Sequence, residues 1–313
     1  MNLFSILLVV SCLTNSSPSA LHPSTWEGQG EGAVITFVGD VLLDRGVRQV
    51  IDLRGVDHLF TPEVDYLFRT SDVVVANLEC PATEVRQPVF KRFCFRGEPK
   101  WLPALHRHGI THLNLANNHS VDQGRKGLTS TIEHVRRAGM VPIGAGRTMQ
   151  EAVQPVLLTS SPRKVFLLAS VQMALENYPY LPAKPSVSQM TIDSLSASIQ
   201  RLKRQHPGCA VVVSLHWGGE HTTEPIPAQR VQAHRLVDAG ADALVCHHTH
   251  TLQTVETYLG RPIYYSIGNF IFDQPKPLNS HAAIVQLHVT RNTVAAHTIP
   301  IEIRHCVPHI VKE

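Results

Sequence analysis

Short apolar runs alternate with amphipathic stretches along most of this chain, and this alternation is its strongest constraint on the fold. The runs are 33–38, 72–76, 110–115, 165–171, 210–215 and 241–246. Strands that are apolar on both faces are typical of a parallel sheet covered by other layers. Helical spacing of apolar residues recurs in the intervals, over 61–70, 124–138, 191–205 and 228–239. The pattern predicts an α/β fold in which sheets are packed inside helical layers.

After Thr251 the helical spacing stops and strand patterns continue to the end of the chain. These patterns cover 252–258, 261–266, 283–289 and 293–303, and tight turns join them. No internal repeat or long linker divides the sequence. We therefore predict a single domain over 33–305, with helices only in its first part.

Composition excludes several classes of protein. Hydrophobic residues make up 43% of the 313 residues, which is too much apolar material for a disordered chain. The formal charge is only +3, so no basic surplus is present to neutralise nucleic-acid phosphates, and we expect no nucleic-acid partner. The unusual count is 19 histidines, a residue that binds metals and titrates near neutral pH.

The N-terminus carries an apolar run from Leu3 to Leu13 that is shorter than the roughly 20 residues a membrane-spanning helix needs. With the small residues up to Ala20, it predicts a signal peptide over 1–20, and Cys12 offers a lipoprotein processing site. A polar, glycine-rich linker follows over 21–32. The expected location is secreted or bound to the cell envelope, although the missing basic start also fits a cytoplasmic protein with a frayed terminus.

Cysteine spacing does not indicate a disulfide framework, because the six cysteines contain no CxxC pair. Cys80 and Cys94 are the pair that an oxidising compartment would bridge. We expect both to be free thiols.

Metal-ligand side chains follow five of the predicted strands directly. They are Asp40; Glu79; Asn118; His216; and the pair His248 and His250. Because the carboxyl ends of parallel strands meet at one edge, we expect these side chains to converge in a crevice there. Carboxylate, amide and imidazole ligands suit Mn, Fe, Zn, Mg or Ca, so the sequence predicts one or two divalent metal ions.

The residue after the Asn118 ligand is a histidine that is free for proton transfer. We predict His119 as a general acid or an electrostatic partner at the metal site. Asp122 is close enough in sequence to orient this imidazole. The alternative role for Asp122 is to cap the helix that starts at Gly124.

Eight segments in order resemble the CapA family, which is associated with poly-γ-glutamate capsule synthesis and includes the PgsA-type component. They are GDVLLDRG, VVANLECPAT, FCFRGEP, LNLANNHSVDQGRKGL, IGAG, VVSLHWGGEH, AGADALVCHHTH and IYYSIGNFIFD, and they span 35–273. The resemblance implies the calcineurin-like metallophosphoesterase fold, a sandwich of two mixed β-sheets flanked by helices.

The same resemblance implies roles for individual residues. Asp40 and His250 match ligands of a first metal, Glu79 matches the bridging carboxylate, and Asn118, His216 and His248 match ligands of a second. His119 matches the catalytic histidine. Arg96 and Glu220 lie in family motifs as substrate-binding residues, and an arginine suits capture of a carboxylate or phosphate. Asn269 and, less directly, Asp273 are expected to shape the pocket.

Three departures from related motifs bear on the metal site. Leu42 stands where metallophosphoesterases usually have a histidine, and a glutamate replaces the bridging aspartate; the CapA family shares both changes. The first metal site is therefore weakened, and Asp44 is a candidate to complete it. Cys246 and Thr249 replace the usual Gly and Pro, which makes Cys246 a further, soft candidate ligand.

Three functions fit these residues. The first is a metal-dependent hydrolase acting on a phosphoester or on an anionic polymer such as poly-γ-glutamate, in capsule biosynthesis. The second is a non-catalytic component that holds polymer beside membrane-bound capsule synthase subunits. The third is a metal-dependent peptide epimerase in which His119 shuttles a proton.

Overall fold

The computed structural model of the chain describes residues 32–274 and 276–311. The predicted signal peptide, the lipidation site at Cys12 and all of the predicted linker except Gly32 lie outside these residues. No helix in the described part is long and apolar enough to span a lipid bilayer.

Strands alternate with helices through the first part of the chain. The strands are β1 (Ala33–Val41), β2 (Val73–Leu78), β3 (His112–Asn114), β4 (Val141–Ile143), β5 (Ala145–Gly146), β6 (Val156–Thr159), β7 (Val165–Val171), β8 (Ser186–Val187), β9 (Ala210–His216), β10 (Ala243–Val245), β11 (Val255–Tyr258), β12 (Arg261–Tyr264), β13 (Asn269–Ile271), β14 (His281–Val289), β15 (Val294–Arg304) and β16 (Val307–Ile310). The helices are α1 (Arg45–Arg54), α2 (Pro62–Arg69), α3 (Leu102–Arg107), α4 (Gly124–Arg137), α5 (Met149–Ala152), α6 (Ile192–Gln205), α7 (Pro227–Asp238) and α8 (Pro277–Ser280), with 3₁₀ turns at Val56–Leu59 and Pro99–Trp101.

Two mixed sheets form the centre of the molecule. The first has the order β16-β15-β14-β1-β2-β3-β4, with β13 also paired to β1. The second has the order β11-β12-β10-β9-β7-β6. Strands β1 to β4 run parallel to one another, as do β7, β9, β10 and β12, while antiparallel strands complete both sheets.

Alternation along each strand divides the core into layers. On β2, Val73 and Val75 enter a cluster shared with the second sheet, whereas Val74 and Ala76 enter a cluster shared with α1 to α4. The outer face of the second sheet packs in the same way on α6 and α7. Successive side chains of a strand point to opposite faces, so an apolar strand needs partners on both sides. The predicted sandwich of two mixed sheets between helical layers is confirmed.

Several elements differ from the sequence-based expectations. Helix α1 was not predicted, because only Val47 and Ile51 are buried along its ten residues and its apolar pattern is short. The short helix α8 lies after Thr251, so the expectation that helices stop there is wrong. Strand β16 continues the first sheet past residue 305, the predicted end of the domain, to Ile310.

The carboxyl end of β1 depends on a close approach between two backbones. Asp40 donates its backbone N–H to Gly268 O at 3.1 Å, beside the pairing of Asp40 with Asn269 on β13. A Cβ on Gly39 would lie only 2.0 Å from Gly268 O. Since the position of a Cβ is set by its own backbone and Gly268 O is a backbone atom, no rotamer change relieves such a clash. Glycine is therefore required at position 39, where β1 positions Asp40.

We predict that Gly39→Ala lowers the free energy of unfolding by about 3 kcal/mol or more, because overpacking against backbone forces the strands apart. Urea unfolding followed by circular dichroism measures this change. Gly219→Ala is the matched control, since its Cβ meets only Thr222 Cγ2 at 3.7 Å, and we expect a change within about 1 kcal/mol. Equal stability of Gly39→Ala and wild type would contradict the close approach.

Buried His112 on β3 predicts a pH dependence of stability. Burial lowers the pKa of this imidazole to about 4. The unfolded chain takes up a proton as the pH falls below about 6.5, and the folded protein does not until about pH 4, so stability is lost over that window. We expect wild type to lose up to about 3 kcal/mol more than His112→Gln between pH 7 and pH 4, measured by urea unfolding. Parallel pH profiles for the two proteins would contradict this.

Candidate metal centre

The predicted ligands come together where parallel strands of both sheets end. Asp40 and His216 are close to the ends of β1 and β9, Glu79 follows β2 directly, and the other ligands lie in the loops after β3 and β10. All six are buried or partly buried: Asp40, Glu79, Asn118, His216, His248 and His250. The topology therefore gathers side chains that are as many as 210 positions apart in the sequence.

These side chains form two groups that share one carboxylate. Glu79, His216 and His248 make one group, and Asp40, Glu79 and His250 make the other. In each group the ligand atoms lie within 4.8 Å of one another, which suits a single ion. The shared Glu79 is the arrangement expected for a carboxylate that bridges two metals.

His216 is the centre of the first group. Its Nε2 lies 2.8 Å from Asn118 Oδ1, 3.6 Å from Glu79 Oε1 and 3.1 Å from His248 Nδ1. Asn118 thus joins this group with its amide oxygen. The group corresponds to the second metal of the family resemblance, for which Asn118 is a predicted ligand.

His250 belongs to the second group, and Asn269 orients it. His250 Nδ1 lies 3.2 Å from Asp40 Oδ2 and 3.0 Å from Asn269 Oδ1, while its Nε2 lies 3.7 Å from Glu79 Oε1. Asn269 donates to Gln274 Oε1 and to the Asn279 carbonyl, so its own oxygen faces the imidazole. This contact makes Asn269 a positioning residue for His250, and its predicted role in shaping the pocket and binding substrate stays a prediction.

The pKa values of the two buried carboxyl groups, Glu79 and Asp40, are shifted in opposite directions. Desolvation and the negative charge of Asp40 raise the pKa of Glu79 well above its usual value. Burial also acts to raise the pKa of Asp40, but hydrogen bonds from His247 and His250 hold it well below its usual value. Two buried carboxylates side by side repel each other, and a cation between them relieves that repulsion.

Two of the ligand imidazoles, His216 and His248, are kept neutral, which is the form that binds metals. Burial, together with the charge of His248, lowers the pKa of His216 well below its usual value. Burial and His250 lower the pKa of His248 to about 4. Near neutral pH these two nitrogens therefore carry lone pairs that are available to a cation.

Two further observations fit a divalent metal at this position. Both carboxylate oxygens of Glu79 are buried without a hydrogen-bond partner in the described part of the chain, a costly state for an anion. His248 and His250 have positive φ angles of 100° and 58°, which are strained for histidine. Strain of this kind persists where the surrounding structure holds side chains in a functional arrangement. The donor set, carboxylates with imidazoles and an amide oxygen, fits the predicted cofactor.

His119 and Asp122 form the predicted pair, with an addition that the sequence did not reveal. His119 Nδ1 lies 2.9 Å from Asp122 Oδ2, and Lys91 Nζ lies 2.5 Å from Asp122 Oδ1. Burial lowers the pKa of His119 despite the neighbouring carboxylate. The N-cap of α4 is Gln123, so the structure favours the orienting role of Asp122 over the capping role. Lys91 was missed because a lone lysine in a basic loop has no distinguishing sequence signal.

A second missed residue, His247, lies beside Asp40. Its Nδ1 is 3.4 Å from Asp40 Oδ1, which also accepts a hydrogen bond of 2.8 Å from Asn77 Nδ2. Asn117 in turn donates to Asn77 Oδ1 and to the Leu78 carbonyl, linking the ends of β2 and β3. The consecutive histidines at 247 and 248 were the only signal, and it did not say which of the two faces the metal.

Of the two charged residues predicted to bind substrate, Glu220 lies towards the mouth of the site and Arg96 does not. Arg96 is bound to the Thr83 carbonyl at 2.7 Å and to Glu98 at 2.5 Å, and its side chain is only 11% exposed. Glu220 is exposed and lies 3.8 Å from His221 Nε2, and its charge contributes to the raised pKa of Glu79. Substrate binding by either residue stays a prediction.

The alternative ligands are occupied elsewhere. Asp44 caps α1, with Oδ1 accepting from Arg45 N and Arg48 Nε and Oδ2 accepting from Arg96 N. Cys246 packs in the apolar cluster between the second sheet and its helices, where burial raises its pKa to about 12. Leu42 is likewise buried in the cluster of the first sheet. Cys80 and Cys94 are free thiols, as expected.

Asp273, which is predicted to shape the pocket, contacts the first two residues of α1. It pairs with Arg45 and accepts a hydrogen bond of 2.9 Å from Gly46 N.

Comparison with known proteins agrees with this architecture. The NAD nucleotidase of Haemophilus influenzae superposes with a TM-score of 0.52 over 90% of this chain and 60% of that chain, at 11% identity. The fold is thus that of the metallophosphoesterase-type nucleotidases, and the chain spans only about three fifths of this neighbour.

Sequence comparison identifies the family more closely. The model of the family described as bacterial capsule synthesis protein PGA_cap matches residues 34–274, and the chain belongs to this family. A capsule biosynthesis protein CapA of Bacillus anthracis is 32% identical over 287 residues, covering 90% of this chain and 70% of the relative. A PGA biosynthesis protein CapA of Bacillus subtilis is 30% identical over 282 residues, covering 89% and 73%. The predicted CapA resemblance is confirmed.

The shared carboxylate predicts how metal content responds to substitution. We expect wild type to bind two divalent ions per chain and His248→Ala to bind one, because only one group loses a ligand. Glu79→Ala should bind none, because both groups lose theirs. Inductively coupled plasma mass spectrometry of dialysed, Mn²⁺-loaded protein measures the content.

His234→Ala is the matched control, since the His234 imidazole on α7 pairs with Glu256 on β11 and belongs to neither ligand group. Its metal content should equal that of wild type. Full metal content in Glu79→Ala would contradict the bridging arrangement.

Proposed function

We propose that this protein is a metal-dependent hydrolase that acts on a phosphoester or on the backbone of an anionic polymer such as poly-γ-glutamate during capsule biosynthesis. The observation that carries the proposal is the buried His119–Asp122 pair, which follows Asn118 in the chain and lies close enough to His250 for their charges to interact, beside two ligand groups that share Glu79. A purely structural metal site has no need of an oriented, neutral imidazole next to it.

Asp40, Glu79 and His250 would hold one cation, and Glu79, Asn118, His216 and His248 would hold the other. A divalent metal bound there supplies Lewis-acid activation of a phosphoryl or carbonyl group and of water. The paired carboxylates and neutral imidazoles of this chain are preorganised for that ion, because most of them are fixed by their neighbours.

In this proposal His119 accepts the proton that the attacking water releases. Its Nδ1 donates to Asp122 Oδ2, which leaves Nε2 as the nitrogen that accepts a proton. Burial keeps the imidazole neutral, since it lowers the pKa. Asp122 stabilises the imidazolium that forms when Nε2 is protonated, and Lys91 holds the other oxygen of Asp122 in place. The proton then passes from Nε2 to the leaving group.

A second function, that of a non-catalytic assembly component, is favoured by the names of the relatives, which refer to capsule and PGA biosynthesis. In that case the metal is structural, and the protein holds anionic polymer near membrane-bound synthase subunits. A location at the cell envelope follows from the proposed role in capsule synthesis and from the predicted leader.

We predict that His119→Asn lowers kcat for a phosphodiester by about 10²- to 10⁴-fold, because proton transfer at Nε2 is lost. Metal content should be unchanged. The measurement is hydrolysis of bis-p-nitrophenyl phosphate by Mn²⁺-loaded protein, with a parallel assay of γ-linked oligoglutamate cleavage.

His134→Asn serves as the control, because this imidazole pairs with Glu84 on the surface and should leave kcat unchanged. If fully metal-loaded wild type cleaves neither the ester nor the oligoglutamate, the hydrolase is excluded and the assembly component is supported.

A further inference from the structure

Arg45 is held at the metal centre by two aromatic rings. Its guanidinium carbon lies 5.0 Å from the centre of the Phe95 ring and 5.5 Å from the centre of the Phe272 ring. Stacking on aromatic faces is a favourable and orienting interaction for arginine. The residue has a positive φ of 50°, a strained value for a long side chain, at the first position of α1.

The same two rings contact the functional histidines. Phe95 lies 4.4 Å from the His119 ring, and Phe272 lies 4.7 Å from the His250 ring, between ring centres. The Arg45 guanidinium is therefore one aromatic ring away from the proton-transferring histidine and one ring away from a metal ligand. It bridges the two halves of the site.

Two nitrogens of the Arg45 guanidinium, Nε and Nη1, are hydrogen-bond donors without an acceptor in the described part of the chain. One nitrogen, Nη2, pairs with Asp273, whose other oxygen is bound to Gly46 N. Within the described residues, Nε is buried without a partner and Nη1 makes no hydrogen bond. The side chain is 36% exposed, compared with 11% for Arg96, whose Nη1 and Nη2 are both bound.

We propose that Arg45 binds an oxyanion of the substrate, a carboxylate or a phosphate, next to the group that is held at the metal centre. The proposal rests on the proposed function for the existence of a substrate, but it concerns binding and not turnover. A planar, always charged fork at the edge of the site recognises oxyanions, and the pairing with Asp273 on one side fixes its direction. Arg45 is thus a further arginine for the oxyanion-binding role that the sequence predicts for Arg96.

The test is calorimetric binding to Mn²⁺-loaded protein of two probes, inorganic phosphate and γ-linked triglutamate. We expect Arg45→Gln to weaken binding of the recognised probe about tenfold or more, and Arg45→Lys to restore part of it. Loss for triglutamate alone identifies a polymer carboxylate as the ligand, and loss for phosphate alone identifies a phosphoryl group. Metal content and circular dichroism are measured on the same samples.

Asp273→Asn separates binding from structure. It breaks the same ion pair but leaves the cation, so binding should be retained or become tighter. If Asp273→Asn and Arg45→Gln weaken binding equally, or if Arg45→Gln leaves both affinities unchanged, the proposal is overturned. Because no turnover is needed, a protein that cleaves nothing can still show this binding, so the two proposals fail separately.

Discussion

The burial of Glu79 is the constraint on which the site depends. A fully buried carboxylate without hydrogen bonds, beside a second carboxylate, has a raised pKa and keeps its negative charge only where a positive charge lies between the two groups. His216 and His248 do not supply that charge, because burial lowers the pKa of both imidazoles and keeps them neutral. The folded chain therefore has a cluster of side chains whose charge a divalent cation would balance.

The fold supplies this cluster by bringing together the ends of strands from two sheets. β1 and β2 deliver the carboxylates, and β9 and β10 deliver the imidazoles from the other sheet. The close approach at Gly39 sets the position of Asp40, and the contact with Asn269 sets the ring of His250. Aromatic rings around the site then connect His119 and His250 to Arg45, so the residues that we propose for metal binding, proton transfer and oxyanion recognition share one rim.

Much of this was accessible from sequence because it depends on local pattern. Apolar runs predicted the buried strands, and ligand residues directly after them predicted the crevice, since parallel strands present their carboxyl ends together. Helix α1 escaped prediction because its buried positions are few. Arg96 is predicted as a substrate-binding arginine because it lies in a family motif, and only the contacts show that its guanidinium is bound to Glu98 and the Thr83 carbonyl.

The sequence by itself determined the α/β class, the CapA family and the six metal-ligand candidates, because these follow from periodicity and from short motifs. Only the tertiary structure decided that Asn269 orients His250, that Lys91 holds Asp122, and that Arg45 lies against Phe95 and Phe272. Such contacts join residues far apart in the chain. Their partners are set by strand order and register, which no local pattern encodes.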